Sequence, residues 1–387
     1  MKMRSQAAAR YVRCGGGYQA FVPAALPPDV SWADRLLRAL SDADRRIGQL
    51  AGEGRGLPNP HLLMRPFIKR EAVLSSRIEG TQATLGELLA ADAGAAVERS
   101  PEDLREVANY VVALEHGVKR LKKLPLSLRL VKEIHAKLMQ GVRGDVATPG
   151  EFRRSQNWIG PPGCTLNSAS YVPPPPEELM TCLDNWEKFL HDRSFPPLVQ
   201  VALLHYQFES IHPFLDGNGR IGRLLITLFL VERGILPTPL LYLSAFFEAS
   251  RREYYDRLSA VTVRGAWGDW LEYFLNGVAR MSEDALSRAE RINALTAGWR
   301  RKVAGTASRT PSQLVDLLAE NPYWTINKVA QRLDVAFTTA QRAVQRLQKL
   351  GILKQTTDSQ RGRVFCAKAI MDILDEPARL RPVEPHR

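Results

Sequence analysis

The sequence predicts a mainly α-helical chain with one small β-hairpin in its middle and a short, basic, mixed α/β segment near its C-terminus. Three observations predict this. Apolar residues recur at helical spacing over most of the 387 residues. One Pro-, Gly- and Ser-rich stretch interrupts them at 157–176. After residue 350, periodicity gives way to two short β-prone runs around a basic loop. With 45% hydrophobic residues the composition is that of a globular chain, long enough for two or three domains.

The elements follow in order. Residues 31–50 place Leu36, Leu37, Leu40, Ile47 and Leu50 near one face, with Ser31 as the expected cap. A second helix, about 66–80, closes at Gly80, and Thr84 with Glu87 in "TLGE" forms a capping box that opens the next. The stretch 101–140 reads as two helices parted near "KKLPLS". "NWIGPPGCTLNSASYVPPPP" reads as a hairpin with the flanks "NWI" and "SYV", while its pattern alone favours a solvent loop stiffened by prolines. From Pro197, Val201, Leu204, Phe208 and Ile211 mark a buried helix that Pro213 stops. A mostly apolar helix resumes after Gly219 and ends at Gly234. Helices at 252–262 and 267–280 follow, then one from Met281 to about Trp299 that links to the last segment. The expected division is 1–100, 101–280 with a flap at about 153–176, a linker helix at 281–309, and 310–387.

Composition narrows the function. A net charge of +12 favours polyanionic partners, and residues 310–368, with nine Lys and Arg against four Asp and Glu, are more basic than the chain average. Cys14, Cys164, Cys182 and Cys366 lie far apart, without a C-x-x-C pair, which argues against zinc and against a disulfide framework. The N-terminus has no apolar core of signal-peptide length, and the longest apolar run, Leu224–Val231, is too short to span a bilayer. A soluble, cytoplasmic protein with no membrane partner is expected.

The densest chemistry is "HPFLDGNGRIGR", residues 212–223, between the two buried helices. A loop that presents backbone N–H groups at a helix N-terminus is an anion site. Gly217 and Gly219 admit positive φ and close approach of a phosphate, and Arg220 and Arg223, one turn apart, reach a polyphosphate from the same side. Asp216 suits a Mg²⁺ ion that bridges phosphate oxygens, and His212 suits proton removal from an attacking hydroxyl near neutral pH. "DGNG" alone also suits a plain tight turn, and one histidine suits a core. Neither alternative explains two arginines inside an apolar helix.

These residues resemble the Fic family signature H-P-F-x-(D/E)-G-N-G-R-x-x-R, matched at His212, Pro213, Phe214, Asp216, Gly217, Asn218, Gly219, Arg220 and Arg223. The resemblance runs from about Ile68 to Leu275 and includes "PGEFRRSQNWIG" and "LLYLSAFFEASRREYYDRL". It implies a Fic-type helical bundle with a small β-hairpin flap. It also implies transfer of AMP from ATP to a Ser, Thr or Tyr hydroxyl of a target protein or of the chain itself, with pyrophosphate leaving. His212 would be the general base and Asp216 the Mg²⁺ ligand. Gly217, Asn218 and Gly219 would cradle the phosphates, Arg220 and Arg223 would neutralise them, and Phe214 would be a buried anchor. The flap would hold the target by strand addition, with Ile159 and Tyr171 clamping the modified residue, and Tyr254 and Tyr255 would lie on the nucleotide side.

"SSRIEG" matches the same family's inhibitory pattern through Ser75, Glu79 and Gly80. Glu79 is expected in the last turn of its helix, where the macrodipole disfavours a carboxylate and a cation should compensate. In the resembled arrangement that cation is Arg223, and the pair takes the space of the γ-phosphate. Such a chain brakes itself from its N-terminal side. The same site on a different nucleotide donor, or used for AMP removal, is also compatible with these residues.

Residues 310–368 resemble a winged helix-turn-helix, with helices at Pro311–Glu320, Thr325–Leu333 and about Phe337–Leu350 and a wing in "GILKQTTDSQRGRVFCA". Gln341, Arg342, Gln345, Arg346 and Lys349 on the third helix, and Arg361 and Arg363 at the wing tip, suit DNA contact by residues 325–365. A protein-interaction or homodimer module, or a nucleotide-sensing DNA-binding regulator, fits the same pattern.

Overall fold

A computed structural model describes residues 9–56, 60–95, 97, 101–142, 148–161, 163–237, 239–305, 308–356 and 362–378. It opens on a hairpin absent from the sequence expectation: β1 (Arg10–Arg13) and β2 (Gln19–Val22) pair antiparallel, Arg10 opposite Val22, around a turn holding Gly16 and Gly17 at positive φ. The helices α1 (Asp34–Gly56), α2 (Pro60–Ile78), α3 (Leu85–Asp92), α4 (Pro101–Leu121), α5 (Leu128–Leu138), α6 (Pro176–Leu190), α7 (Pro197–Ile211) and α8 (Asn218–Glu232) follow. After them come α9 (Ser244–Ala249), α10 (Arg251–Arg264), α11 (Trp267–Val303) and α12 (Thr310–Glu320). The C-terminal elements are β3 (Tyr323–Thr325), α13 (Ile326–Leu333), α14 (Phe337–Lys349), β4 (Lys354–Gln355), β5 (Val364–Cys366) and α15 (Lys368–Asp375).

Local chemistry explains the boundaries, including those that differ from expectation. Thr84 and Glu87 form the expected box: Glu87 N–H donates to Thr84 Oγ1 at 3.2 Å and Thr84 N–H to Glu87 Oε2 at 2.8 Å. Helix α1 begins at Asp34, not Ser31, because Ala33 N–H turns back onto the Ser31 carbonyl before the helix starts. Helix α2, expected over 66–80, starts at Pro60, runs through Pro66 and closes at Ile78. Gly80, at φ 102°, lets its own N–H bond Arg77 O and Thr81 N–H bond Ser76 O, so Glu79 sits exposed in the turn beyond the helix, not in its last turn. The break expected between 267–280 and a linker helix at 281–309 is filled by the single helix α11.

The flap is also reduced. Ile159 and Tyr171 form one antiparallel bridge, by Ile159 N–H to Tyr171 O at 2.8 Å and Tyr171 N–H to Ile159 O at 3.0 Å. A 3₁₀ turn at Leu166–Ser168 lies between them. Prolines at 161 and 173–176 lack the N–H groups a longer ladder would need.

The chain forms two compact units, one of residues up to Arg46, Val112–Ile235 and Ser250–Ala279, the other of Ile47–Val111, Leu236–Ala249 and residues from Arg280 onward. In the first, α7 is buried nearly all round. Trp270 and Trp186 brace it by donating their indole N–H groups to Ala202 O and Leu204 O at 2.9 and 3.0 Å. Phe208 in its last turn is fully buried, worth about 1.5–3 kcal/mol. Helix α4 meets α8 at Gly117, where a Cβ would stand 2.7 Å from Leu228.

In the second unit α2 packs on α9 and α12. Its buried Glu71 accepts from Tyr110 Oη and the Ser244 amide, both at 3.2 Å, and from Ser244 Oγ at 2.5 Å, so the carboxylate is fully engaged. The sheet here has the order β3–β5–β4, antiparallel, with Trp324 opposite Phe365 and Gln355 opposite Phe365 from the other side. Arg361 lies outside the described residues; Arg363 stacks its guanidinium on the Phe365 ring. Among the described residues no helix is long and apolar enough to cross a membrane.

Candidate active site

The loop 212–217 joins α7 to α8, and its backbone is bent at both ends. His212 caps α7 with φ 49° and ψ 60°, a left-handed conformation that costs a non-glycine residue about 1–3 kcal/mol. Gly217 caps α8 at φ 77°, and a Cβ there would lie 2.9 Å from Met139 Sδ, so glycine is required on two counts. Gly219, expected at positive φ, is helical instead, within the first turn of α8.

Several side chains hold the strained turn. Asn218, buried, folds back: its Oδ1 accepts Phe214 N–H and its Nδ2 donates to Phe214 O, both at 2.8 Å. Its side-chain amide therefore serves the loop. Phe214 is the expected buried anchor, fully enclosed and stacked on His135 with ring centres 3.7 Å apart and planes 3° from parallel. His135 accepts Gly150 N–H on Nδ1 at 2.8 Å and donates from Nε2 to Asp216 O at 3.0 Å. Burial pushes this imidazole down to about 4, so it is neutral, in the one tautomer these partners allow.

Arg153 binds the loop to the flap. Its Nε donates to His212 O at 2.9 Å, and its Nη2 to Pro174 O at 2.5 Å and Ile211 O at 3.4 Å, while its own amide donates to Pro213 O at 2.9 Å. Asn157 adds bonds to His212 O at 3.3 Å and Phe214 O at 2.8 Å. These three residues, His135, Arg153 and Asn157, have no place among the expected site residues. "PGEFRRSQNWIG" contains two of them, but nothing in their spacing says that they grip carbonyls 55 and more residues away.

The half-buried His212 ring approaches Glu209 O with Nδ1 at 3.3 Å. A carbonyl only accepts, so Nδ1 carries the proton and Nε2 presents the lone pair. Asp216 is exposed, and its Oδ1 takes Gly217 N–H at 2.6 Å and lies 3.6 Å from Arg220 Nη2. Arg220 and Arg223 are 4% and 2% exposed. Helix α8 thus starts with backbone N–H groups and two deeply set guanidiniums beside an imidazole base, an arrangement suited to an anion and a proton transfer. Gly222, between the arginines, lets α8 approach α7 closely: a Cβ there would run into the Glu209 carboxylate.

Other expected site residues divide. Ile159 is 41% exposed on the flap. Tyr171 is anchored, its hydroxyl bonded to Ser210 O and Ser210 Oγ at 2.7 and 2.8 Å, so it tethers the flap to α7. Tyr254 is a core residue whose hydroxyl meets His205 Nε2 at 2.8 Å, whereas Tyr255 is 43% exposed. Burial, with the Arg223 charge, lowers His205 to about 3. Ser75, fully buried, and the exposed Glu79 and Gly80 belong to the second unit.

Residues 37–119 match the Fic/DOC family N-terminal region and residues 125–230 the Fic/DOC family itself. Protein adenylyltransferase Fic of Drosophila virilis is 32% identical over 166 residues, which are 41% of this chain and 32% of that protein. The D. ananassae protein of the same name is 31% identical over 143 residues, 36% of this chain and 27% of that one. The matches span about a third of the length of these relatives. A Fic family protein from Desulfovibrio desulfuricans G20 has the same fold, with TM-score 0.59 and 20% identity over 88% of this chain and 98% of that one. A variant of Fic-1 from C. elegans is similar with TM-score 0.51 and 26% identity, over 66% and 73% of the two chains.

Proposed function

Since residues 37–119 and 125–230 belong to the Fic/DOC family, we propose that this chain is a protein adenylyltransferase that moves AMP from ATP to hydroxyl groups of target proteins and of itself. One observation carries the proposal: a half-buried imidazole with its lone pair on Nε2 stands beside a helix N-terminus backed by two buried guanidiniums. In the reaction, Nε2 of His212 takes the proton of a Ser, Thr or Tyr hydroxyl as its oxygen attacks the α-phosphorus, and pyrophosphate leaves. Arg220, Arg223 and the first amides of α8 stabilise the charge on the phosphate oxygens. Little covalent help is needed, since positioning and charge stabilisation dominate such transfers.

Mg²⁺ fits this donor set. It commonly takes one carboxylate plus phosphate and water oxygens, and the exposed Asp216 is a hard oxygen donor beside the anion site. Asp216 would hold the ion, which would supply positive charge to the phosphates. Ile159 is the flap residue available to meet a target strand, Tyr255 the exposed tyrosine for the nucleotide side, and Tyr171 and Tyr254 act through the framework. We read Ser75, Glu79 and Gly80 as a brake on ATP binding. The four-part division along the sequence remains our reading of its functional segments. All four cysteines are unbridged, which suits a reducing, cytoplasmic setting.

The last segment supports a second, additional role. The order α12–β3–α13–α14–β4–β5 suits a winged helix-turn-helix, and Arg342, Gln345, Arg346 and Lys349 are exposed on one face of α14. We read that face as a DNA contact; a homodimer interface is the competing use.

The transferase reading is tested by incubating wild type, Glu79→Gly and His212→Ala with labelled ATP and Mg²⁺ in cell lysate. His212→Ala should label nothing, and Glu79→Gly should label targets and itself more strongly than wild type. Label incorporated by His212→Ala removes the base from the mechanism. Equal labelling by wild type and Glu79→Gly removes the brake.

A further inference from the structure

We propose that the second unit carries a ligand site of its own, for a small organic phosphate, in the open cavity bordered by α2, α3, α12, β3 and α13. The cavity measures about 490 Å³, within the range of small-molecule sites. Four cationic side chains line it, Arg65 and Lys69 from α2 and Lys328 and Arg332 from α13, against two carboxylates, Asp92 and Glu320. The lining therefore holds an excess of two positive charges, the complement of a phosphomonoester dianion.

The cations are placed, not merely gathered. Glu320, the last residue of α12, has a side chain only 6% exposed, and it takes Arg65 Nη1 on Oε1 at 2.5 Å and Arg332 Nη2 on Oε2 at 3.1 Å. One buried carboxylate thus sets two planar guanidiniums, each with five N–H donors, along one wall. Lys69, its side chain 12% exposed, is held by Asp92 from α3. Lys328 stands in the first turn of α13, which has no acidic residue, so the helix dipole opposes its charge and a bound anion would relieve it. Tyr323 and Trp324 border the rest of the cavity, and as successive residues of β3 they put their side chains on opposite faces of the strand. Trp324 is buried and fixed by its indole N–H on Asn321 O at 2.5 Å, and Tyr323 is half-exposed beside it. The net charge of the lining and the size of the cavity define the ligand class, a small phosphomonoester whose dianionic head meets the cations. Arg65 and Lys69 lie four residues apart on the helix that leads to Ser75–Gly80, so an occupant bears directly on α2.

Phenyl phosphate is a phosphomonoester small enough for the cavity and serves as the probe, in calorimetric titration of the full chain, with phenol as the neutral control. Wild type should bind one phenyl phosphate with a Kd below about 1 mM and show no heat with phenol. Lys328→Glu should weaken binding by roughly tenfold or more, and Arg65→Ala, which leaves Glu320 paired to Arg332, should weaken it too. Both variants should unfold at the wild-type temperature. The proposal is overturned if Lys328→Glu and Arg65→Ala bind as wild type does, or if wild type shows no binding. Displacement of phenyl phosphate by a short DNA duplex, with the same sensitivity to both substitutions, also overturns it and reassigns the cavity to nucleic acid. Because the readout is binding, failure of the transferase reading leaves this result untouched.

Discussion

His135 shows how a side chain outside the signature sets the chemistry within it. It is buried, neutral and bonded on both nitrogens, to Gly150 N–H and Asp216 O. Its ordinary value near 6.5 falls to about 4 in the folded chain. As pH drops, the unfolded chain takes up the proton first, so stability present above 6.5 is lost progressively between 6.5 and about 4. Between about pH 7 and about pH 4.5 this single group should cost about 2–3 kcal/mol, and His135→Gln should remove that much of the acid sensitivity in urea titrations at the two pH values. His205, lowered to about 3, adds loss of the same sign that this variant leaves in place. At this scale the signature is legible as a motif, because nine fixed residue types fall within twelve consecutive positions. His135, Arg153 and Asn157 are not, because each acts by hydrogen bonds to carbonyls brought close only by the fold. Asn218 is legible as present but not in its use: its side chain closes the loop on Phe214.

Elements are legible where their ends carry their own chemistry. The Thr84–Glu87 box predicts the start of α3 because both of its hydrogen bonds span only three residues. Thr84→Ala should cost about 1 kcal/mol, and hydrogen exchange should show the Glu87 amide losing protection while Thr84→Ser retains it. Boundaries fail where a residue with a strong local bias is overruled. Pro66 marks a helix start by propensity but sits inside α2, which buries Phe67, Ile68 and Glu71 against its neighbours. Pattern splits residues 267–303 in two, although they form one helix, whose buried Trp270, Phe274, Ile292 and Trp299 continue across the expected gap. The β1–β2 hairpin has a signal, three glycines between two short β-prone runs, but four-residue strands have little periodicity to read.

At the scale of the whole molecule, each compact unit is assembled from separated stretches of chain, and three of the five boundaries fall within α1, α4 and α11. A reading that looks for linkers along the sequence finds no signal for this, since a continuous helix carries no Pro-, Gly- or Ser-rich mark. Net charge is legible, and its use is measurable. If the exposed face of α14 meets phosphates, affinity of the full chain for duplex DNA should fall with salt by a log–log slope of about 0.9 per phosphate. Fluorescence anisotropy across a salt series should show Arg346→Ala reducing that slope by about one, and an unchanged slope would assign the face to another use. The hairpin at the start of the chain also bears on the flap. Phe21 N–H donates to Val172 O at 2.9 Å, while Tyr171, on the alternate side of that strand, is already joined to Ile159. The Arg10–Val22 hairpin therefore occupies one border of the flap, and under the proposed function a target strand would settle along the other, beside Ile159. If the flap holds target strands as proposed, removing this hairpin should expose the Val172 carbonyl as a second border for them.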